Sequence, residues 1–502
     1  MDLLNNLAVG FSTSLSPINL WYAFMGAALG TLIGVLPGLG PIATIAMLLP
    51  SMYALEPTSA LIMLAGIYYG AQYGGSTTAI LINVPGEASS VVTALDGNQM
   101  ARNVRAGTAL ATAALGSFFA GTVGTLVVAA FAPPLTKLAF QFGAPEYCSL
   151  MFLGLVGAVV LASGSLVKAL AMVVLGLLLG QINTDVITAQ PRYSFGITEL
   201  MDGLNFVAIA MGVFSFGEII ANLGKPAEHR SVVARKLTGL WPSKKDFRDA
   251  APAVGRGTVL GCVLGILPGA GPMLASFTSY AVEKKVSRHP EEFGKGAIQG
   301  VAAPEAANNA GAQTSFIPML TLGIPTSAVM ALMVGAMVIM GIQPGPQVMT
   351  NNPALFWGLI TSMWVGNLML VVLNLPLIGI WVKLLTVPYR FLFPAIMAFC
   401  AIGCYTLGNN NFEVYCAALF AVVGFALLKL GFEPAPLILG FVLGPLMEEN
   451  LRRALLLSNG DWSVFVTQPI SASMLAISVV MIVAIALPAI KAKRNEAFKE
   501  GE

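Results

Sequence analysis

Charged side chains are scarce in this sequence. Only 10% of its 502 residues are Asp, Glu, Lys or Arg, whereas 56% are hydrophobic. A soluble chain carries about 25% charged residues. A chain with so little charge could not cover its surface in water, so its composition excludes a soluble multidomain protein. It predicts an integral membrane protein whose apolar segments lie in lipid.

Histidine and cysteine are also rare, which limits the possible chemistry. The two histidines lie in basic loops and the five cysteines lie in or beside apolar segments, so we predict no metal site and no bound cofactor. No Ser/His/Asp set, phosphate-binding glycine loop or zinc pattern is present, and we therefore predict no enzyme. The net charge is +2, and the basic residues are confined to a few loops, which argues against a nucleic-acid partner.

Glycine and proline, by contrast, are abundant, with 53 and 30 residues. They interrupt four apolar stretches, at 22–50, 74–95, 253–281 and 308–342. A broken helix in the hydrocarbon layer is tolerated only against protein or a water-filled cavity, because its free backbone groups need partners. We therefore predict that all four breaks face the protein interior. Together with the uninterrupted stretches they predict an all-α polytopic membrane protein with roughly 10–14 membrane segments.

The interruptions occur twice in the same order. The octet GVLPGLGP at Gly34–Pro41 recurs as GILPGAGP at Gly265–Pro272. Further along, YGGSTTAILINVPGEASS at Tyr73–Ser90 has a looser counterpart, NAGAQTSFIPMLTLGIPTSA, at Asn309–Ala328. A third, weaker pair of matching segments follows in both halves. One repeated octet could arise by chance in a chain so rich in glycine and proline, but three collinear matches indicate a duplication.

The duplication and the distribution of basic residues predict the organisation of the chain. Corresponding loops of the two halves have opposite Lys/Arg bias, which places them on opposite sides of the membrane by the positive-inside rule. We therefore predict two inverted-topology repeats with broken or re-entrant helices, a plan common among secondary transporters. We predict that the membrane is a bacterial inner (plasma) membrane and that the C-terminus is cytoplasmic. The predicted regions are an N-terminal interfacial segment (1–19), a first transmembrane repeat (20–224), a basic cytoplasmic linker (225–250), a second transmembrane repeat (251–450), and a C-terminal helix with a cytoplasmic tail (451–502).

The glycines of the octets and two acidic residues are candidates for binding a coupling ion. An unwound helix exposes carbonyl groups that can coordinate a cation. A kink, or close helix packing through small residues, is the alternative for either octet taken alone. Ionisable residues inside a membrane are functional candidates, although Glu305 could instead lie at the membrane interface. The ion-coupling candidates are Gly38, Gly40, Glu87, Gly269, Gly271 and Glu305.

Uncharged hydroxyl and amide side chains cluster around the other two breaks. Such groups can donate hydrogen bonds to a carboxylate without the cost of burying a full positive charge. Thr326 and Ser327, which follow a proline, could instead cap a helix. The predicted substrate-binding residues are Ser76, Thr77, Thr78, Asn83, Pro85, Gly86, Asn308, Asn309, Gln313, Thr314, Pro325, Thr326 and Ser327.

At these motifs the sequence resembles the large membrane subunit of the tripartite tricarboxylate transporters, the TctA family. The resemblance covers nearly the whole chain and includes the segments LDGNQMARN and LGPLMEENLRRAL. One departure is Thr326, where the family more often has glycine. The resemblance implies import of a small organic anion (a tricarboxylate such as citrate, or a related carboxylate) driven by a gradient of Na⁺ or H⁺. It also implies two partners, a small four-helix membrane subunit and a periplasmic solute-binding protein. An ion channel or pore built on the same inverted repeat is the alternative function.

Overall fold

The chain folds almost entirely into helices in the computed structural model. The structure describes residues 3–36, 40–52, 54–83, 86–161, 165–185, 188, 190–217, 220, 239–267, 271–384, 394, 397–398, 401–406 and 410–486. Among the predicted site residues, Gly38, Pro85 and Gly269 lie outside these ranges, as do most of the basic linker and the C-terminal tail.

The helices of the first half are α1 Leu3–Ser14, α2 Pro17–Val35, α3 Pro41–Met52, α4 Pro57–Ile82, α5 Val91–Met100, α6 Ala106–Ala139, α7 Ala144–Leu161, α8 Leu166–Gly180 and α9 Phe206–Ala210, which continues as a π-helix at Met211–Phe216. Short 3-10 helices lie at Ala88–Ser90, Thr198–Asp202 and Pro290–Glu292. Two short strands, Asn183–Thr184 and Pro191–Arg192, pair antiparallel between α8 and α9.

The helices of the second half are α10 Lys244–Leu264, α11 Gly271–Val286, α12 Gln299–Thr314, α13 Phe316–Leu322, α14 Ala328–Ile339, α15 Gln347–Asn351, α16 Pro353–Asn374, α17 Ile378–Leu384, α18 Phe412–Lys429, α19 Ala435–Leu457, α20 Val464–Thr467 and α21 Pro469–Ala486.

Helices are interrupted at each of the four glycine- and proline-rich stretches. Within the two octets, α2 ends at Val35 before α3 begins at Pro41, and α10 ends at Leu264 before α11 begins at Gly271. The other two breaks have matching backbone geometry. Both α4 and α13 end in a left-handed residue, Asn83 with φ 56° and Gly323 with φ 73°, a conformation that commonly terminates helices. The chain is thus all-α with broken helices, as the sequence predicts.

Glycine contacts bring α2 against α4 and α10 against α12. A Cβ atom added at Gly30 would lie 2.4 Å from the carbonyl oxygen of Ile67, and one added at Gly34 would lie 2.4 Å from that of Ala71. In the second half, a Cβ at Gly265 would lie 2.5 Å from the Gly311 carbonyl oxygen. Small residues at such contacts let helix backbones approach closely. The first glycine of each octet therefore serves helix packing, while the residues after it interrupt the helix.

The two halves interlock through α6 and α16. Helix α6 of the first half packs on α12 of the second, where Gly124 contacts the Cβ of Gln313. Helix α16 of the second half packs on α4 of the first, where the Tyr73 hydroxyl donates to Asn367 Oδ1 at 2.7 Å. The N-terminal helix α1 packs along α16. Its position at the membrane interface stays a prediction. Because each half covers the other, residues distant in sequence meet in the interior.

The end of the basic linker contacts the turn between α5 and α6. Ser243 caps α10, with Asp246 completing the capping box, and Asp246 also forms an ion pair with Arg105. Burial tends to raise the pKa of the Asp246 carboxyl group. Hydrogen bonds from Ser243 and the charge of Arg105 outweigh burial and lower this pKa below its ordinary value. The contact places these two basic segments at the same end of the molecule.

A hairpin between α8 and α9 is held to α19 by ionic contacts. Arg192 Nη1 donates to Glu448 Oε1 at 2.8 Å, and Arg452 Nη1 donates to Asp185 Oδ2 at 2.8 Å. Arg192 Nη1 also donates to Gln181 Oε1 at 2.7 Å. The side chain of Asp185 is only 5% exposed, so its charge needs these guanidinium groups. The cluster fixes the hairpin on the LGPLMEENLRRAL segment.

Replacing Arg192 with alanine is expected to release this hairpin. The substitution removes donors to Glu448 and Gln181 together, and it leaves Asp185 with one guanidinium fewer. We expect faster proteolytic cleavage between α8 and α9 in the R192A variant, measured by limited proteolysis in detergent. The exposed Arg453 is the matched control on α19. Equal cleavage rates in R192A and R453A would contradict this account of the cluster.

Apolar residues also cover much of the outer surface. Four helical segments are long and apolar enough to cross a membrane within the described ranges: Pro17–Val35, Ala88–Ala139 (α5 and α6 with the kink at Asn103 and Val104 between them), Pro353–Asn374 and Phe412–Lys429. On α8, the exposed residues Val167, Leu170, Val174 and Leu178 follow helical spacing, with Met172 and Val173 buried behind them. Such an exposed stripe is stable in lipid and not in water. The chain is a membrane protein; the predicted number of segments stays a prediction.

Candidate functional site

A buried glutamate lies where the two halves meet. Glu305 is in the middle of α12 and its side chain is fully buried. Its Oε1 accepts a hydrogen bond from the Thr93 hydroxyl at 2.5 Å, and its Oε2 lies 2.5 Å from the Ser76 hydroxyl oxygen. Ser76 is on α4 and Thr93 on α5, so both partners come from the first half. The Glu305 side chain is therefore enclosed by protein, and its alternative position at the depth of the membrane interface stays a prediction.

The second predicted acid, Glu87, directly follows the break after α4. It is half-buried and occupies the N-cap position of the 3-10 helix Ala88–Ser90. Its Oε1 accepts from the Ser89 hydroxyl at 2.5 Å and from Asn308 Nδ2 at 3.3 Å. Ser89 also contacts Gln72 Oε1 at 3.1 Å. Glu87 is thus linked to α12, the helix that carries Glu305, and through Ser89 to α4, the helix that carries Ser76.

Asn309 connects Glu305 to helix α6, and we call the hydrogen-bonded side chains around Glu305 and Asn309 the Glu305 network. Its Nδ2 donates to the Ser117 hydroxyl oxygen on α6 at 2.7 Å and to the carbonyl oxygen of Glu305 at 3.1 Å. The neighbouring Asn308 is fully buried as well and points to Glu87. Adjacent amides in an apolar segment need partners. Here each amide has a partner from the first half, which explains how α12 tolerates both.

Three predicted substrate-binding residues carry buried polar atoms without a hydrogen-bond partner among the described residues. These atoms are Asn308 Oδ1, Gln313 Oε1 and Thr326 Oγ1. Thr326 is fully buried in the turn between α13 and α14. A buried polar group without a partner costs about 1–3 kcal/mol, so such atoms indicate places where water or a ligand binds. All three lie in the second half, on α12 or at the break that follows α13.

Other predicted hydroxyls are engaged in the fold itself. Ser327 caps α14 by accepting from the Met330 N–H at 3.3 Å, so the capping alternative is confirmed for this residue. Thr78 Oγ1 donates to the Gly75 carbonyl oxygen at 2.8 Å and Thr314 Oγ1 to that of Ala310 at 3.0 Å. These bonds do not preclude ligand contact, which stays a prediction for all three.

The predicted residues at the helix ends have varied surroundings. Gly86 is buried so tightly that an added Cβ would lie 2.1 Å from the Gly34 carbonyl oxygen. Gly271 has a φ of 42° and lies near Ser327, whereas a Cβ added at Gly40 would meet no atom of the described residues within 4 Å. Asn83 is exposed, unlike the buried Pro325 after the corresponding break. The two halves therefore differ in how they expose their breaks.

A small cavity adjoins the Glu305 network between α4, α6 and α16. Its polar lining consists of Tyr73, Ser76, Thr77, Ser117 and Asn374. The space is about that of one water molecule. Ser76 and Ser117 also belong to the network around Glu305 and Asn309, so the cavity and the buried acid share two hydroxyl groups. In this conformation the centre of the molecule is closed around polar side chains.

Several members of this network were not among the sequence-predicted site residues. Thr93, Ser117, Tyr73 and Gln72 lie in apolar segments with ordinary helical spacing, and nothing local marks them as functional. Only Gln72 carries a signal in the sequence, because an amide in a long apolar helix needs a hydrogen-bond partner. In the described part of the chain, no three His, Cys, Asp or Glu side chains come together as metal ligands.

Comparison with protein families identifies the chain. The Tripartite tricarboxylate transporter TctA family matches residues 20–439, which include every element of this site. The protein is a member of the TctA family. Membership makes it the subunit of a multi-component membrane transporter, and it agrees with the resemblance of the glycine–proline motifs and the PEAANNAG segment around Glu305.

Two related proteins of Agrobacterium vitis are similar along their whole length. One, described as an uncharacterized 52.8 kDa protein in the TAR-I ttuC' 3'region, is 60% identical over 500 residues, covering 100% of this TctA-family chain and 99% of the relative. The other, described as an uncharacterized protein in the TAR-II ttuC' 3'region, is 61% identical over 242 residues, which is 48% of this chain and 100% of the relative. No solved structure matches the chain.

Proposed function

We propose that this TctA-family protein carries a small carboxylate, a tricarboxylate such as citrate or a related organic anion, across the bacterial inner membrane. A cation gradient, Na⁺ or H⁺, drives import. A periplasmic solute-binding protein delivers the anion, and a small four-helix membrane subunit completes the complex. Family membership supports the transport role and the existence of partner subunits. The chemistry of the site supports an anionic solute.

The observation that carries the proposal is the polar centre between the halves. Amide and hydroxyl groups of α4 and α12 meet there. At the break before α14, the buried hydroxyl of Thr326 is a donor without a partner among the described residues, whereas the unpartnered Asn308 Oδ1 and Gln313 Oε1 are acceptors that suit water or a cation. Neither α4 nor α12 contains a lysine or an arginine. A carboxylate would be held by N–H and O–H dipoles beside the breaks, where its charge is solvated without a fixed counter-ion. Such a site can bind and release an anion in each cycle.

We propose that the two halves are inverted repeats that alternate access to this centre. The contact between Arg105 and Asp246 supports a shared cytoplasmic end for the turn after α5 and the linker, as the basic residues of both segments predict. Interlocked halves with breaks at the interface suit rocking of one repeat against the other. The channel alternative predicts flux that does not saturate with solute concentration, whereas a transporter saturates.

Replacing Thr326 with valine tests the substrate site. Valine keeps the shape of the side chain and removes a hydroxyl group that has no hydrogen-bond partner in the described fold. Stability should therefore be unchanged or slightly higher. If the hydroxyl binds a carboxylate, its loss costs about 1.5–3 kcal/mol, or roughly a 10–100-fold rise in the KM for uptake.

The matched control is Thr321→Val on α13, whose buried hydroxyl already donates to the Ile317 carbonyl oxygen at 2.8 Å. Uptake of labelled citrate and other carboxylates is measured in proteoliposomes that contain the proposed partners, with and without sodium. An unchanged KM in T326V would remove Thr326 from the site. The absence of saturable carboxylate uptake by the unmodified complex would reject the transport proposal itself.

A further inference from the structure

The charge environment of Glu305 differs from that of the other buried acids. Glu283 on α11 is paired with Arg256 on α10 through two hydrogen bonds of 2.8 and 2.6 Å. Asp96 on α5 accepts three backbone N–H bonds and the hydroxyl of Tyr280. Each of these carboxylates has groups that stabilise a negative charge. The described hydrogen-bond partners of the Glu305 carboxyl group are neutral hydroxyls, those of Ser76, Thr93 and Ser117.

Among the described residues, the elements packed against α12 offer Glu305 no unpaired positive charge nearby. Helix α12 contains no other charged residue, and α4 contains none at all. The elements that neighbour α12 are α4, α5, α6, α10, α11 and the turn before α5. Their charged and titratable groups are Tyr68, Tyr69, Tyr73, Glu87, Asp96, Lys137, Arg256, Cys262, Tyr280 and Glu283, together with charges at the remote ends of α10 and α11. Arg256 is engaged with Glu283, and Lys137 is in the last turn of α6. Glu87 would add repulsion if both acids were ionised.

The heavy-atom positions around Ser76 are compatible with a neutral Glu305. The single hydroxyl hydrogen of Ser76 faces two acceptors, the Gln72 carbonyl oxygen at 3.0 Å and Glu305 Oε2 at 2.5 Å. If Glu305 is a neutral acid, it donates to Ser76, and Ser76 donates to Gln72. Thr93 donates to the other carboxyl oxygen. Every group is then satisfied, and no unpaired charge is buried.

The ionised form would be much less favourable in this conformation. A carboxylate without a cationic partner would be held away from water, which is strongly unfavourable. The described groups that contact the Glu305 carboxyl group are hydroxyls, which can both accept from and donate to a protonated acid.

We propose that Glu305 holds the coupling proton of the transport cycle. In the closed conformation it is a neutral acid enclosed by Ser76 and Thr93. Both hydroxyls belong to the first half and Glu305 to the second, so relative movement of the halves would open this enclosure to water and release the proton. This inference rests on the proposed transport function, and it assigns H⁺ rather than Na⁺ as the coupling ion.

Glu305→Gln is the informative variant, because its amide imitates the protonated acid. The amide oxygen can accept from Thr93 and the NH₂ group can donate to Ser76, so the fold is retained. We expect E305Q proteoliposomes to exchange labelled for unlabelled solute within about threefold of the wild-type rate. Accumulation driven by a pH gradient should be lost. Glu291→Gln, at an exposed acid with 65% side-chain exposure, is the control and should accumulate solute normally.

Two further measurements do not depend on the transport activity of the variant. A pH-sensitive dye should report proton entry with each pulse of solute uptake in sodium-free medium. Infrared difference spectra between wild type and E305Q should contain the carbonyl band of a protonated carboxyl group at neutral pH. Uptake that needs sodium and moves no protons, or a carboxylate band in place of the acid band, would overturn the proton assignment and leave carboxylate transport standing. Pulses that produce no saturable uptake would reject the transport function instead.

Discussion

Gly257→Ala is expected to lower the thermal stability of the protein sharply, whereas Gly255→Ala in the same helix is not. A Cβ at Gly257 would lie 2.3 Å from the Ala303 carbonyl oxygen and 3.1 Å from the Ala303 Cα. These are backbone atoms of α12, so the clash is relieved only by moving α10 away from it. Overpacking of this kind costs about 1–3 kcal/mol. Loss of the helix contact around it would add to that cost.

Gly255 is the matched control, since a Cβ there meets nothing within 4 Å. Alanine is a better helix former than glycine by about 1 kcal/mol, so G255A should be neutral or slightly stabilising. Unfolding temperatures of both variants in the same detergent give the comparison. The corresponding contact in the first half offers a replicate, because a Cβ at Gly30 would lie 2.4 Å from the Ile67 carbonyl oxygen. Equal unfolding temperatures for G257A and G255A would contradict the close packing of α10 on α12.

Asp96→Ala is expected to cause the second large loss of stability. Asp96 Oδ1 accepts from the N–H groups of Gly294, Gly296 and Ala297 at 2.8–2.9 Å. Its Oδ2 accepts from the Tyr280 hydroxyl at 2.9 Å, and the side chain is fully buried. Alanine would leave these donors without an acceptor, at about 1–3 kcal/mol for each donor that water cannot reach.

The loss of thermal stability should depend on the side chain that replaces the Asp96 carboxylate. Asparagine keeps one oxygen for the three N–H groups, so D96N should be intermediate between wild type and D96A. Asp202 is exposed, and D202A is the control. Thermal unfolding and hydrogen exchange of the loop before α12 are the measurements. A D96A protein as stable as D202A, with no faster exchange at Gly296 and Ala297, would show that Asp96 does not hold this loop.

The positions of the helix breaks could be predicted from sequence because their causes are local. Proline lacks an N–H group and glycine permits a left-handed backbone, so both act within about one helical turn of their own position. The ends of α2 at Val35 and α10 at Leu264 follow from the two octets. Asn83 and Gly323 end their helices in the same way, although only the second is a glycine. The alternative of close packing is also present, since Gly34 and Gly265 contact the facing helices.

The capping alternative illustrates a limit of this reasoning. Thr326 and Ser327 are neighbours of similar chemistry, and sequence favoured neither as a cap. The fold places Ser327 at the N-cap of α14, with φ −152° and a bond to the Met330 N–H. Thr326 is buried one residue earlier, and its hydroxyl has no hydrogen-bond partner within the described ranges. Which of two adjacent hydroxyls caps a helix depends on the backbone direction after the break, and that direction is decided by packing on other helices.

Sequence by itself determined that the chain is a membrane protein, that its helices break at glycine and proline, and that the pattern of breaks occurs twice. These conclusions depend on composition and on effects confined to a few neighbouring residues. Only the tertiary structure decided which groups meet at the centre. Glu305 is enclosed by Ser76 and Thr93, which are 229 and 212 residues away along the chain, and no periodicity pairs them. The physical reason is that a carboxyl group in an apolar helix requires hydrogen-bonding partners, but close packing between helices determines which partners it finds.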